Sequence, residues 1–138
     1  MREILFKAKR IDNGEWVEGY YAFFKSVNGN QKMHHITTED GKAIRIDPST
    51  LCQFTGITDK NDKKIFENDI VETITFGYDK DYFITSVKFG AIFGIQGFHF
   101  ANRRSLFYSG QANLEKIDDT EVIGNVFDNP ELLENSEV

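Results

Sequence analysis

Apolar and polar residues alternate along several short stretches of this chain. In the first of them Ile4, Phe6 and Ala8 fall on one side while Lys7 and Lys9 take the other, the period of a half-buried strand. Segments rich in Ile, Val, Phe, Tyr and Thr recur at Ile4–Ala8, Glu15–Phe24, Ile44–Ile46, Gln53–Ile57, Ile70–Phe76, Phe83–Phe89, Ile92–Phe100 and Glu121–Phe127, and each predicts a strand. Asn-Gly at 13–14 and 28–29, Asp-Gly at 40–41 and the polar run Asp59–Asp62 separate them with the chemistry of hairpin turns. The strands follow one another every ~8–12 residues, with no intervening helical pattern of roughly 10–15 residues, so parallel βαβ units are excluded. The expected fold is therefore mostly β and antiparallel. Gly94 and Gly97 interrupt a strand-like run and predict bulges or bends where a sheet coils into a small barrel, with a two-sheet sandwich as the alternative. Asn129-Pro130-Glu131-Leu132-Leu133-Glu134 reads as a short C-terminal helix: a capping Asn, Pro at the first helical position, then acid near the positive end of the dipole. A further turn is expected at Asn102–Tyr108. A division near Asp47-Pro48 separates an N-terminal hairpin segment, 1–49, from a barrel, 50–138, unless the chain forms one compact unit.

With 138 residues, 40% of them hydrophobic and 19 aromatic, the chain has material for one folded core and too much apolar content for disorder. No apolar run approaches the ~20 residues of a membrane helix, and the N-terminus turns charged before a signal-peptide core forms, so a cytoplasmic location is expected. Cys52 is the single cysteine, which excludes an internal disulfide and a multi-thiolate zinc site. Charge is uneven. Residues 1–69 carry 11 basic and 11 acidic side chains, whereas residues 70–138 carry 5 and 11, which places the whole net charge of −6 in the second half. From Glu115 onward eight acids face only Lys116, a composition that repels phosphate backbones and disfavours general duplex binding.

The stretch from Asp47 to Glu72 has a local physical logic. A strand ends at Ile57, a polar turn follows, Ile65-Phe66 supplies apolar anchors, and Asp69 is placed to accept from nearby backbone N–H groups as the chain enters Ile70-Val71. The same stretch resembles the YopX-like family of phage and prophage proteins, with its Gln-aromatic-Thr-Gly element at Gln53–Gly56, polar turn, Ile-aromatic pair and Asp-Ile-Val strand. Met1–Ile4 with Lys7-Ala8, Trp16-Val17 and Gly19, Val87-Lys88-Phe89, and Glu121–Leu133 look like the family's opening, middle strand and close. Two positions depart from the pattern: Asp62 and Asn68 stand where the family commonly has Gly, and both residue types tolerate positive φ. The resemblance implies a small SH3-like barrel in the later two thirds, preceded by N-terminal strands, encoded by a bacteriophage or an integrated prophage. It implies no activity and carries over no catalytic residue.

Candidate chemistry is sparse. His34 and His35 are neighbours, and on a strand they point to opposite faces and cannot share a metal. Cys52 and His99 would form a dyad only in spatial contact with an orienting third group. Asp59-Lys60-Asn61-Asp62 opens like a calcium loop, but Lys63 stands at the fifth position and Ile70 at the twelfth. Gly90, Gly94 and Gly97 lack the spacing of a phosphate loop, and no Gly-x-Ser-x-Gly occurs. No enzyme, cofactor or metal is therefore expected.

Binding is the remaining reading. Phe98, Phe100, Arg103, Arg104, Phe107 and Tyr108 interleave rings with arginines, and Tyr78 and Tyr82 sit in an aromatic loop with two Asp and one Lys. Such rings suit either a protein partner or the stacked bases of a single strand. The competing reading fills a core with Phe98 and Phe100 and leaves the arginines in a solvated turn. The expected function is a non-catalytic protein-binding module whose partner is a phage or host protein, with single-stranded nucleic acid as the alternative and self-association through strand edges also open.

Overall fold

Strands joined by tight turns account for most of the chain. The computed structural model describes residues 4–29, 31–74, 82–92, 95–101, 116–117 and 119–134. Contacts divide it into two units, Met1–Phe54 and Thr55–Val138.

The first unit opens with β1 (Phe6–Lys9), β2 (Trp16–Lys25), β3 (Lys32–Thr37) and β4 (Ala43–Arg45). A 3-10 turn at Pro48–Thr50 and the start of β5 (Cys52–Thr58) follow. These strands lie in the order β4-β3-β2-β1-β5, all antiparallel. The turns fall at Asn13-Gly14, Asn28-Gly29 and Asp40-Gly41, each with its Gly at positive φ, as the dipeptides predict. One core cluster is Ala8, Ile36 and Ile46, with Phe6, Val17, Tyr21 and Leu51 packed around it, and Leu5, Cys52 and Phe54 are buried as well. β3 is absent from the strands expected from the sequence, because Lys32-Met33-His34-His35-Ile36-Thr37 buries only Ile36.

The division between the units comes five residues after the expected boundary. Asp47 caps the 3-10 turn by accepting from Ser49 N at 3.0 Å, and Thr50 Oγ1 accepts from Lys9 N at 2.8 Å. Phe54 N donates to Leu5 O at 2.8 Å. These bonds hold Pro48–Phe54 to the N-terminal strands.

In the second unit β5 runs on into a hairpin with β6 (Lys64–Phe66), followed by β7 (Asp69–Ile74), β8 (Tyr82–Ile92), β9 (Ile95–Phe100) and β10 (Thr120–Asn125). The last four form an antiparallel sheet in the order β10-β7-β8-β9. Ile57, Ile65, Val71, Val87, Phe98, Phe100, Ile117 and Val122 make its core, and Phe83 meets Phe100 edge-on with centroids 5.7 Å apart. A meander with a returning strand is compatible with an SH3-like barrel. The chain is thus mostly β and antiparallel with one short C-terminal helix, α1 (Glu131–Glu134).

Two local expectations change. Gly97 pairs with Gly90 in an unbroken register, Gly94 lies outside the described residues, and among the described residues a bulge lies between Val122 and Gly124, where a Cβ on Gly124 would stand 2.6 Å from Asn129 Oδ1. That Asn129 oxygen accepts from Asn125 N at 3.3 Å, so the residue expected to cap α1 bonds back to the end of β10.

The Asp59–Asn68 segment behaves as its turn chemistry requires. Asp62 and Asn68 have φ of 65° and 70°, the left-handed region in which Gly is the least strained residue. Asp59 is buried, with Oδ1 accepting from Asn61 N at 2.8 Å and Lys63 N at 2.9 Å, and Oδ2 accepting from Val122 N at 2.9 Å. Asp69 Oδ2 accepts from Phe66 N at 2.8 Å, the role its position predicts.

Two substitutions test this architecture. Asp59→Ala strands three backbone donors, and we expect a loss of about 3 kcal/mol or more in urea unfolding. In the first unit a Cβ on Gly19 would lie 2.1 Å from Thr37 O. Gly19→Ala therefore forces β2 and β3 apart and should cost about 1–3 kcal/mol in the same assay.

Candidate binding face

The β2–β3 hairpin is apolar on both faces. Along β2 the run Tyr20-Tyr21-Ala22-Phe23-Phe24 has no polar residue, so alternation puts rings on each side of the sheet. On the core side Tyr21 stacks on His34 at 5.9 Å and its hydroxyl is 2.6 Å from His34 Nδ1, while Phe23 stacks on the same imidazole at 5.8 Å. On the other side Phe24 meets His35 edge-on at 5.5 Å. His34 and His35 therefore point to opposite faces, as adjacent strand residues must. Tyr20 is 60% exposed, Phe23 49%, Phe24 55%, and Val27 in the turn is fully exposed. Single exposed hydrophobics are ordinary, but several gathered on one hairpin are not.

The opposite side of the sheet carries cations. Lys7 and Lys9 alternate away from Ala8 and stand over the Trp16 ring, with Nζ 4.8 Å and 5.6 Å from its centroid. Arg45, exposed, is opposite His35 and shares this side. Glu18, opposite Lys7, is the one acidic residue among the strand positions that the registers of β1 to β4 place there. A shallow depression lined by Arg10, Ile11, Asp12, Ala43, Ile44 and Arg45 borders the face. Arg10 is neutralised within it by two bonds to Asp12, at 2.9 and 2.8 Å, and that guanidinium holds the Asp12 carboxyl below the ordinary carboxylate range. At the β3–β4 turn the Thr38 hydroxyl, with help from Lys42, does the same for Asp40.

Of the rings and arginines expected from the sequence to form a binding surface, the structure describes the side chains of Phe98 and Phe100. Phe98 and Phe100 are 6% and 2% exposed and belong to the second core, so their rings are spent on packing, with the exposed Phe89 lying edge-on against Phe98 at 4.9 Å. Tyr82 opens β8 opposite Ile74. Tyr78, Arg103, Arg104, Phe107 and Tyr108 lie outside the described residues, as does the whole turn expected at Asn102–Tyr108. Cys52 is buried and donates its thiol to Thr50 O at 3.2 Å. His99 Nδ1 is 3.4 Å from Gly97 O. Among the described residues no cluster of three His, Cys, Asp or Glu is placed to hold a metal, and no helix is long and apolar enough to cross a membrane.

Sequence comparison decides the kinship. The YopX protein family matches residues 5–134. The chain belongs to that family. No curated protein matches it. Among solved structures it is similar to protein EF1440 from Enterococcus faecalis, at 24% identity and a TM-score of 0.58 over 96% of this chain and 99% of that one. That likeness concerns the fold. Within this YopX chain, the stretches that carry the resemblance, 52–72 and 121–133, form β5 to the start of β7 and β10 with α1, and their polar residues Asp59, Asn68 and Asp69 serve backbone geometry.

The exposed rings of the hairpin contribute little to folding. Tyr20→Ser and Phe24→Ser should each shift thermal unfolding by the equivalent of less than about 1 kcal/mol, the scale of a cross-strand pair, whereas Phe100→Ser should unfold the second unit.

Proposed function

We propose that this chain is a non-catalytic protein-binding module of a bacteriophage or prophage, acting in the cytoplasm of the bacterial host on a phage or host protein. The observation that carries this reading is the end of the β2–β3 hairpin. Phe23 and Phe24 are half exposed on opposite faces, and Val27 is fully exposed between them and β3. An apolar hairpin end that presents a ring on each side suits a partner that clasps it, and aromatic anchors in a desolvated pocket are the usual centre of such interfaces. The polar groups that might suggest chemistry have structural assignments instead. Asp59 accepts from three backbone N–H groups and Asp69 from that of Phe66, and the Cys52 thiol is turned to a carbonyl.

The second reading, single-stranded nucleic acid bound at Phe98–Tyr108, loses support because Phe98 and Phe100 fill a core. The test of the first compares capture from lysogenic cells by the unaltered chain and by Phe23→Ser/Val27→Ser. A specific protein retained by the former and lost with the latter is the expected result. Equal recovery by both, or repeated recovery of nothing specific with a chain that is monomeric by light scattering, overturns it.

A further inference from the structure

The backbone of β4 has a short open edge. Toward β3 its bonds come from even-numbered residues: Thr38 N donates to Lys42 O at 2.8 Å and Ile46 N to His34 O at 3.0 Å, in the register that sets Ile36 opposite Ile44. Antiparallel pairing alternates, so Ala43 and Arg45 turn their N–H and C=O groups to the other edge. Toward Asp47 the end of β1 fills that edge. Ile11 N donates to Arg45 O at 3.1 Å and Asp47 N to Lys9 O at 2.9 Å, with Arg10 bridged to Ile46. The chain then turns away over Ile11–Asn13 and leaves three groups in a row: Arg45 N–H, Ala43 C=O and Ala43 N–H, none of them bonded among the described residues. They border a depression of about 340 Å³ between β4 and the β1–β2 turn, lined by Arg10, Ile11, Asp12 and β4 itself. Its charges leave one cation over. Arg10 and Asp12 neutralise each other at 2.8 Å and Lys42 is paired with Asp40 at 3.7 Å, whereas the exposed Arg45 has no acidic partner among the described residues. Ile11, 58% exposed, and the partly buried Ile44 supply apolar surface.

We propose that this slot binds the carboxyl-terminal end of an extended polypeptide, added as a short parallel strand beside β4, at a site separate from the hairpin end. The three open groups match what a chain end offers. Running parallel to β4, the peptide gives the carbonyl of its antepenultimate residue to Ala43 N–H and donates the N–H of its last residue to Ala43 C=O. Its terminal carboxylate accepts from Arg45 N–H beside the guanidinium. An internal segment fits less well, because the Ile11–Arg45 bond closes the slot where such a chain has to continue, and a terminus stops there. The group at the closed end is a carboxylate and not an amine, since the open donor and the uncompensated charge at that end both hold an anion. Asp12, the acid on the same rim, is neutralised by Arg10. The last side chain of the peptide falls beside Ile44, which selects an apolar residue there.

The test titrates isotope-labelled full-length protein with a hexapeptide that ends in valine with a free carboxyl, following backbone amide signals by NMR. The same peptide with an amino-terminal fluorescein is followed by anisotropy. Saturable binding with a Kd below about 1 mM is expected, with the largest shifts at the Ala43 and Arg45 amides. The amidated peptide, and one N-methylated at its last peptide bond, should each bind about tenfold more weakly, since each loses one of the bonds described. Arg45→Gln should weaken the free acid about tenfold and leave the amidated peptide unchanged, with thermal unfolding near its original value. Phe23→Ser/Val27→Ser should bind the peptide normally, which separates failure of this inference from failure of the hairpin-end reading. Absence of saturable binding overturns the proposal. So do shifts centred away from β4, equal affinity for the free acid and the amide, or an affinity for the free acid that Arg45→Gln leaves unchanged.

Discussion

One buried carboxylate ties the second unit together across most of its length. Asp59 sits in the tight turn between β5 and β6, and its two oxygens hold donors from both ends of that unit: Asn61 and Lys63 beside it, and Val122 on the last strand. A hydrophobic contact tolerates sliding, whereas a carboxylate with three directed N–H partners fixes register. Lys60 N donates to Thr120 O at 3.0 Å, Ile117 N to Thr58 O at 3.0 Å, and Thr73 Oγ1 meets Thr120 Oγ1 at 2.8 Å, so the same seam is stitched on either side of Asp59. Taking a charge out of water is costly unless its lone pairs are filled, and here three backbone amides point at the carboxylate. The stretch that marks the family is thus chiefly a device for closing a hairpin onto a distant strand.

The first unit is held differently. Among its described residues Leu5, Ala8, Ile36, Ile46, Cys52 and Phe54 are the buried apolar side chains, and close backbone approach adds to them. Gly19 admits the Thr37 carbonyl where any side chain would block it. Past that pinch Tyr21 still packs on the core, whereas Tyr20, Phe23 and Phe24 are exposed. The proposed function draws on the end of this overhang.

Strand class, turn positions and the tolerance of Asp62 and Asn68 for positive φ were legible because they depend on local chemistry: period, Asn-Gly and Asp-Gly pairs, and short polar side chains at tight corners. β3 escaped because it has one buried residue and two imidazoles, which leaves no periodic signal for a strand sandwiched between β2 and β4. The bulge at Val122–Gly124 answers to Asn129 and not to any feature of β10 itself, so local reading placed bending at Gly97 instead. Phe98 and Phe100 illustrate a deeper limit. Alternation says that two rings share a face and does not say whether that face meets the core or the solvent. The signal that pointed to the actual surface was the lack of alternation in Tyr20–Phe24, since a strand apolar at every position must show rings on both sides.

Cys52 gives the protein a chemical clock. Its sulfur is buried, bonded to the Thr50 carbonyl, and sits on β5 two residues before the point where the chain passes from one unit to the next. An alkylating reagent reaches it only when the packing over this part of β5 opens, so the rate of thiol modification in native buffer reads how often that happens, without any denaturant and without a second cysteine to confuse the count.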